Sequence, residues 1–262
     1  GIDALPGGAA DLLCLAAALL FAIHPITSGA VNYISARSSL MVAAMLLPAL
    51  AIYLNVLARA AGPLWLLASA PLYIVALLTK VEAVAFIAVP ALPERLLAPG
   101  IQSRPLWRRF PPRPAWLRLG AFGLITAAYL LLWSRMSSLA SNSGKAAADM
   151  TPGVYLLTQL RAWWYYIAEA IAPVRLVFDE SAYPVSGAVP DPAPGQPAYS
   201  LARALLDPRV WLALSAWILV AAACLRFLRR APLVPFLVAS YLILLSPSSS
   251  IVPLAEMVND HR

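Results

Sequence analysis

The sequence has few of the side chains on which most soluble enzymes depend. Charged residues make up only 12% of the 262 residues, and histidine and cysteine occur twice each. Both cysteines, Cys14 and Cys224, lie inside apolar runs, a placement that indicates neither a disulfide nor a metal site. Two histidines are too few for a convincing set of zinc ligands. We therefore predict no metal site and no bound cofactor.

The motifs of common catalytic and binding sites are also missing. The chain has no Gly-rich phosphate loop, Cys-x-x-Cys, Gly-x-Ser-x-Gly or His-Glu-x-x-His, which excludes most chemistries of soluble enzymes. It has neither an Arg-rich voltage-sensor helix nor a carbonyl filter sequence. Basic and aromatic residues do not form the pattern of a nucleic-acid reader, so no nucleic-acid partner is expected.

Apolar residues dominate what is present. They make up 61% of the chain, and the mean hydropathy is +0.77. A spanning helix needs about 20 mostly apolar residues, so we predict an all-α, polytopic bundle of transmembrane helices that forms one membrane domain over residues 1–262. The candidate spans are residues 9–24, 38–57, 64–79, 83–92, 119–134, 210–225 and 233–245.

Arginine clusters set the predicted orientation. Residues 94–118 are predicted to be a polar, Pro-rich loop, neither core nor helix, and residues 226–230 hold a second basic cluster. Short cytoplasmic loops are enriched in Lys and Arg, so both clusters should face the cytoplasm. An even number of crossings between them then requires that the Trp- and Tyr-rich helix 153–171 lie at the outer surface without traversing. Residues 174–208 become an outer loop, in which a cysteine at position 186 should be labelled from outside.

The same orientation brings four polar junctions to the outer face. In the first, Arg37 stands just before a span, where a guanidinium either snorkels to the surface or binds an anion. His24 either caps the preceding helix or has a catalytic role. In the second, Lys80 and Glu82 at a membrane boundary either neutralise each other or leave Lys80 facing a lipid phosphate.

The third junction combines arginines with aromatic residues. Arg161 and Arg175 flank the aromatic cluster, and Asp179 follows them. The aromatic side chains are either membrane anchors at the headgroup level or part of a binding site for a lipid headgroup. In such a site the arginines would bind the phosphate by charge, and the aromatic rings would stack on a sugar ring.

The last seventeen residues, SPSSSIVPLAEMVNDHR, form the fourth junction. Hydrocarbon could not solvate this stretch, so it is either an ordinary loop or the working site in a polar cavity. Glu256 and Asp260 are four residues apart and would share a helix face, with His261 and Arg262 nearby. A carboxylate beside an arginine stays ionised, so it could act as a base toward a hydroxyl or as an orienting acceptor.

Four segments together resemble a known family: HPITSGAVNYISARSSLM, LLTKVEAVAF, QLRAWWYYIAEAIAPVRLVFDESAYPV and PSSSIVPLAEMVNDHR. In this order they are similar to the membrane domain of the transmembrane and tetratricopeptide-repeat O-mannosyltransferases and their bacterial relatives, which are multi-pass GT-C-type glycosyltransferases. The resemblance implies a GT-C-like bundle in a bacterial inner membrane. It also implies transfer of a hexose such as mannose, on the non-cytoplasmic face, from polyprenyl phosphate to a Ser or Thr hydroxyl of an acceptor protein.

The resemblance and the positions of the charges together assign roles to individual residues. Cations that bind the donor phosphate are expected at Arg37, Lys80, Arg161, Arg175 and Arg262. Substrate-orienting residues are expected at His24, Glu82, Asp179 and His261. Supporting catalytic carboxylates are expected at Glu256 and Asp260. The main catalytic acid of the family would precede Gly1, and a tetratricopeptide region would follow Arg262, so we interpret the chain as part of a longer protein.

The sequence departs from the family pattern at three positions and leaves two other functions open. Gly29 and Ser39 stand where the family often has acids, and Val81 separates Lys80 from Glu82. A transporter or flippase for a lipid-linked substrate would also use convergent cations, but it should show an internal repeat with broken helices at the midplane, and no repeat is found. The third possibility is a structural membrane subunit.

Overall fold

The computed structural model describes residues 8–25, 27, 31, 37–58, 63–97, 113–137, 151–173, 185–190 and 198–247. Over these ranges the chain is helical and contains no β-strand, which confirms the all-α prediction for this part. The α-helices are α1 (Ala9–Ile23), α2 (Arg37–Leu57), α3 (Leu66–Thr79), α4 (Ala91–Leu96), α5 (Arg113–Ser137), α6 (Pro152–Ile171), α7 (Leu201–Leu206), α8 (Pro208–Phe227) and α9 (Leu233–Leu245). Two 3₁₀ helices cover Pro63–Trp65 and Val81–Ala88.

Three helices are long and apolar enough to cross a membrane: α2, residues Ala115–Arg135 of α5, and α8. Shorter apolar helices are α3, α9 and residues Asp11–Ile23 of α1. These six correspond to predicted spans. Much of their surface is exposed leucine, for example Leu12, Leu131 and Leu219, as expected for side chains in contact with lipid. The chain therefore has the helices of a membrane protein.

The chain reverses direction at Lys80. Helix α3 ends at Thr79, Lys80 is extended (φ −155°, ψ 132°), and the 3₁₀ helix begins at Val81. We predicted a short span over residues 83–92. The structure instead has a 3₁₀ helix of eight residues, whereas most 3₁₀ helices have three or four. The reversal places Lys80 beside the first turn of α2. The residues that follow the 3₁₀ helix lie beside the last turns of α2.

Glu94 marks the opposite end of the bundle and corrects the predicted loop. Residues 94–118 were expected to be neither core nor helix, but Glu94 lies in α4 and is completely buried, and α5 begins at Arg113. The Tyr53 hydroxyl donates to Glu94 Oε1 at 2.7 Å, and Arg118 Nε donates to the same oxygen at 3.0 Å. Pairing with a cation allows the carboxylate to be buried. Residues 98–112 lie outside the described part.

An aromatic cluster holds the reversed segment in place. Tyr73 of α3 packs against Phe86 of the 3₁₀ helix and Phe122 of α5, with ring centroids 5.6 and 5.4 Å apart. Its hydroxyl hydrogen-bonds to Thr126 Oγ1 at 2.8 Å. Such aromatic pairs contribute about 0.5–1.5 kcal/mol each beyond the area they bury. The cluster therefore fixes the positions of both helices that flank Lys80.

Helix α6 confirms the helix predicted over residues 153–171 and packs on α8. Trp164 Nε1 donates to the Ala213 carbonyl oxygen at 3.2 Å, and Trp217 Nε1 donates to that of Leu160 at 3.1 Å. The indole rings of Trp164 and Trp217 are 4.6 Å apart. These tryptophans therefore serve helix packing. The helix is not among the three that are long and apolar enough to span, and its position at the outer surface stays a prediction.

The predicted outer loop, residues 174–208, contains regular structure in its described part. It includes α7 and a β-bridge between Ala188 and Tyr199. Gly187 has φ +84°, and a Cβ there would lie 2.4 Å from the Ser200 carbonyl oxygen, so this close approach requires glycine. Pro208, predicted as the last residue of the loop, is instead the first residue of α8.

The orientation is tested by cysteine labelling. Ser186, the position suggested by the sequence, is only 1% exposed, so Ala188, which is exposed, is the better site. In a background without Cys14 and Cys224, we expect Ala188→Cys to react with a membrane-impermeant maleimide on intact spheroplasts. The matched control is Arg229→Cys, exposed between α8 and α9, which should react only after permeabilisation. The reverse pattern would overturn the predicted orientation.

Candidate functional site

A groove of about 500 Å³ lies between α1, α2, the 3₁₀ helix Val81–Ala88 and α9. It follows α2 from Ser39 to Leu50, a distance of about 16 Å at 1.5 Å per residue. Its walls are almost entirely apolar, with side chains that include Phe21, Val42, Leu46, Phe86, Phe236 and Leu244. Four segments of the chain meet where the groove is polar. They are the end of α1, the start of α2, the reversal at Lys80 and the end of α9, and residues from all four line the groove.

The polar residues of the groove include Ser39, Lys80 and Glu82, which we call the Lys80 cluster. Lys80 Nζ donates to Ser39 Oγ at 3.1 Å and lies 3.7 Å from Glu82 Oε1. The side chains of Lys80 and Glu82 are about a third exposed, at 32% and 29%. Glu82 Oε2 is buried and has no hydrogen-bond partner among the described residues. An ammonium group has three donors, so the lysine can bind a further acceptor.

The backbone explains why these charges stand at the groove. Lys80 is the C-cap of α3, and its N–H donates to the Ala76 carbonyl oxygen at 3.1 Å. Glu82 is in the first turn of the 3₁₀ helix. A cation is favoured at a helix C-terminus and an anion at an N-terminus, because each offsets the partial charge of the helix end. The break in the helix therefore places a cation and a carboxylate side by side at the end of an apolar groove.

Arg37 and His24 occupy the neighbouring helix ends. Arg37 is the first residue of α2, two positions before Ser39, and its exposed side chain donates from Nε to the Val31 carbonyl oxygen at 3.0 Å. His24 is the C-cap of α1, and its carbonyl oxygen accepts hydrogen bonds from the N–H and hydroxyl of Thr27 at 3.0 and 2.7 Å. The capping position considered for His24 is thus observed. Arg37 is not among the described residues that line the groove, and its role at a donor phosphate stays a prediction.

Arg161 belongs to a different cluster. Its side chain is 9% exposed, and Nη1 donates to Ser186 Oγ at 2.7 Å and to Asp207 Oδ2 at 3.1 Å. Asp207 also caps α8 by accepting the Arg209 N–H at 2.9 Å. Asp207 is not among the residues predicted from the sequence, although Asp followed by Pro is a common start of a helix. The Asp207 carboxylate neutralises the charge of Arg161. A phosphate at this position would therefore have to share the guanidinium with Asp207.

Six of the predicted site residues lie outside the described part of the chain, and their roles stay predictions: Arg175, Asp179, Glu256, Asp260, His261 and Arg262. Within the described ranges, no group of three or more His, Cys, Asp and Glu residues could hold a metal ion. Of the residues predicted from the sequence, the structure therefore brings Lys80 and Glu82 into direct contact, with Arg37 close by in the chain, and places Arg161 in a separate ion pair.

Comparisons of the chain with protein-family models, with curated proteins and with solved structures find no match. The function must therefore be argued from the chemistry of the groove. An apolar channel with a lysine, a serine and a carboxylate at one end is complementary to a ligand with a long apolar tail and a compact anionic head. Lipid phosphates are such ligands.

The Arg161–Asp207 pair should be structural. Asp207→Asn removes a carboxylate that pairs with a buried guanidinium and also caps α8, so we expect a loss of about 3 kcal/mol in the free energy of unfolding and a thermal midpoint in detergent lower by several degrees. Asp11→Asn, the same change in the exposed first turn of α1, is the control and should leave the midpoint unchanged. Equal midpoints for the two variants would contradict a structural role.

Proposed function

We propose that this chain is the membrane domain of a GT-C-like glycosyltransferase. It transfers a hexose such as mannose from a polyprenyl-phosphate donor to a Ser or Thr hydroxyl of an acceptor protein, on the non-cytoplasmic face of a bacterial inner membrane. The observation that carries the proposal is Lys80, held by Ser39 at the polar end of an apolar groove about 16 Å long. A polyprenyl phosphate has the same layout, an apolar chain that ends in one anionic group.

The groove supports binding of the first part of the isoprenoid chain. Its lining by leucine, valine and phenylalanine side chains of α2, α9 and the 3₁₀ helix favours apolar atoms over water. The remainder of a longer chain would extend into the bilayer. A lipid-linked donor cannot leave the membrane, so its phosphate must meet a cation at a helix end. Lys80 and Arg37 both lie at helix ends.

Lys80 would act on the leaving group. The acceptor oxygen attacks the anomeric carbon from the face opposite the phosphate, and the bond between that carbon and the phosphate oxygen breaks. Its electron pair stays on the phosphate, and the hydroxyl proton goes to a carboxylate. Lys80, and Arg37 if it turns toward the head group, stabilise the charge that develops on the phosphate. The carboxylates predicted to support this step are Glu256 and Asp260, with the main base expected before Gly1.

A transporter or flippase for a lipid-linked substrate is the second candidate. The break at Lys80 favours it, since transporters use interrupted helices at their binding sites. In those proteins the break lies near the bilayer midplane, whereas Lys80 contacts Ser39 in the first turn of α2, at a helix end. A structural subunit would give no reason for a cation and a carboxylate to line an apolar groove, as Lys80 and Glu82 do.

The proposal predicts that neutralising Lys80 abolishes transfer. In membranes supplied with radiolabelled polyprenyl-phosphate hexose, the wild type should label an acceptor protein, and Lys80→Gln should lower the rate about a hundredfold or more, because a preorganised charge at the leaving group is lost. Charge reversal of Arg37 should have a similar effect. The control Arg229→Gln, at an exposed position between α8 and α9, should leave the rate unchanged.

Two results of this assay would contradict the proposal. Unchanged transfer by Lys80→Gln would remove the lysine from the donor site. No label on protein with any hexose donor, in membranes where the wild type is well expressed, would favour the transporter.

A further inference from the structure

We infer that Glu82 makes the groove select the glycosylated lipid phosphate over the bare lipid phosphate that remains after transfer. The inference rests on the proposed function and adds a specificity-determining residue to it. Its consequence is that the carboxylate weakens the binding of the spent donor and so favours its release.

The first observation is the unequal environment of the two carboxylate oxygens of Glu82. Oε1 lies 3.7 Å from Lys80 Nζ, whereas Oε2 is buried and receives no hydrogen bond from any described residue. A carboxylate oxygen can only accept, and leaving it buried without a donor costs free energy. Ser240 Oγ, on the opposite wall of the groove, also lacks a partner, but a hydroxyl can rotate toward a carbonyl of the preceding helical turn. The Glu82 carboxylate has no such alternative. Glu94 Oε2 is also buried without a partner among the described residues, but Glu94 does not line the groove.

A glycosyl phosphate would supply the missing donor. Its sugar hydroxyls stand next to the phosphate, so a phosphate at Lys80 brings them close to Glu82, two residues along the chain. The Glu82 side chain is partly exposed, and its last bond turns easily, so the carboxylate can turn toward a ligand in the groove. The bare lipid phosphate has no hydroxyl group of this kind and would leave the oxygen unsatisfied.

The second observation is the charge balance of the site. Glu82 is the one carboxylate among the described residues that line the groove, and Lys80 is the one cation. Their charges cancel, so the described groove lining carries no net charge. A glycosyl phosphodiester carries a single negative charge. A phosphomonoester carries about −1.5 to −2 at neutral pH, so the bare lipid phosphate is repelled more strongly by Glu82.

Both effects act in the same direction after transfer. When the anomeric carbon moves to the acceptor oxygen, the sugar hydroxyls leave with it, and the phosphate keeps the electron pair of the broken bond. Glu82 then loses a hydrogen-bond donor and gains a more negative neighbour. The product is therefore held less tightly than the donor, and this difference requires the carboxylate.

The test compares binding of two lipids of equal chain length, polyprenyl-phosphate mannose and polyprenyl phosphate, to the purified full-length protein in detergent. For the wild type we expect tighter binding of the glycosylated lipid by about tenfold or more, because one additional charge about 6 Å from a carboxylate changes binding by at least that factor at an effective dielectric constant near 20. In Glu82→Gln the preference should fall to about twofold, mainly through tighter binding of polyprenyl phosphate. Glu82→Asp keeps the charge and should keep the preference.

Each outcome decides the question. Equal affinity of the wild type for the two lipids, or an unchanged preference in Glu82→Gln, would overturn the inference and leave the proposed function standing. Failure of the wild type to bind either lipid would overturn the proposed function and the inference with it. If Glu82→Gln does not fold, the wild-type preference and its retention in Glu82→Asp decide the matter.

Discussion

Hydrocarbon cannot solvate a charge, and this constraint decides where the charged side chains of the bundle lie and what each must contact. Glu94 is buried only because Arg118 and Tyr53 donate to it. Arg161 is buried against Asp207. Oε2 of Glu94 and Oε2 of Glu82 are each buried without a hydrogen-bond partner among the described residues. Of these two carboxylates, Glu82 is the one that lines the groove.

Hydrophobic runs predict most of the helices, because lipid-facing segments need long apolar stretches whatever their partners are. Helices α2, α8 and α9 begin and end within two residues of their predicted limits. The loop over residues 94–118 is wrong at both ends, because Glu94 and Arg118 are 24 residues apart and nothing in the local sequence reveals that they pair. The 3₁₀ helix is likewise fixed by aromatic packing between separate helices.

The residues of the groove could likewise be predicted from the sequence only in part. Lys80 and Glu82 could be singled out from the sequence because charges at a membrane boundary are unusual. Their partner Ser39 lies 41 residues from Lys80, and the walls come from α2 and α9, at opposite ends of the chain. Ser39 stands where the family predicted from the sequence often has an acid, and membership of that family stays a prediction. A serine there gives Lys80 an acceptor without a second negative charge, which leaves Glu82 as the single carboxylate among the described groove residues.

The most direct test of the central claim, that the groove takes the lipid chain with its phosphate at Lys80, is photocrosslinking with a polyprenyl phosphate that carries a diazirine on its first isoprene units. The account predicts crosslinks to groove residues of α2 and α9, such as Leu46 and Leu237, and their loss in Lys80→Gln. Crosslinks spread over the exposed leucines of α1 and α8, unchanged by Lys80→Gln, would contradict it.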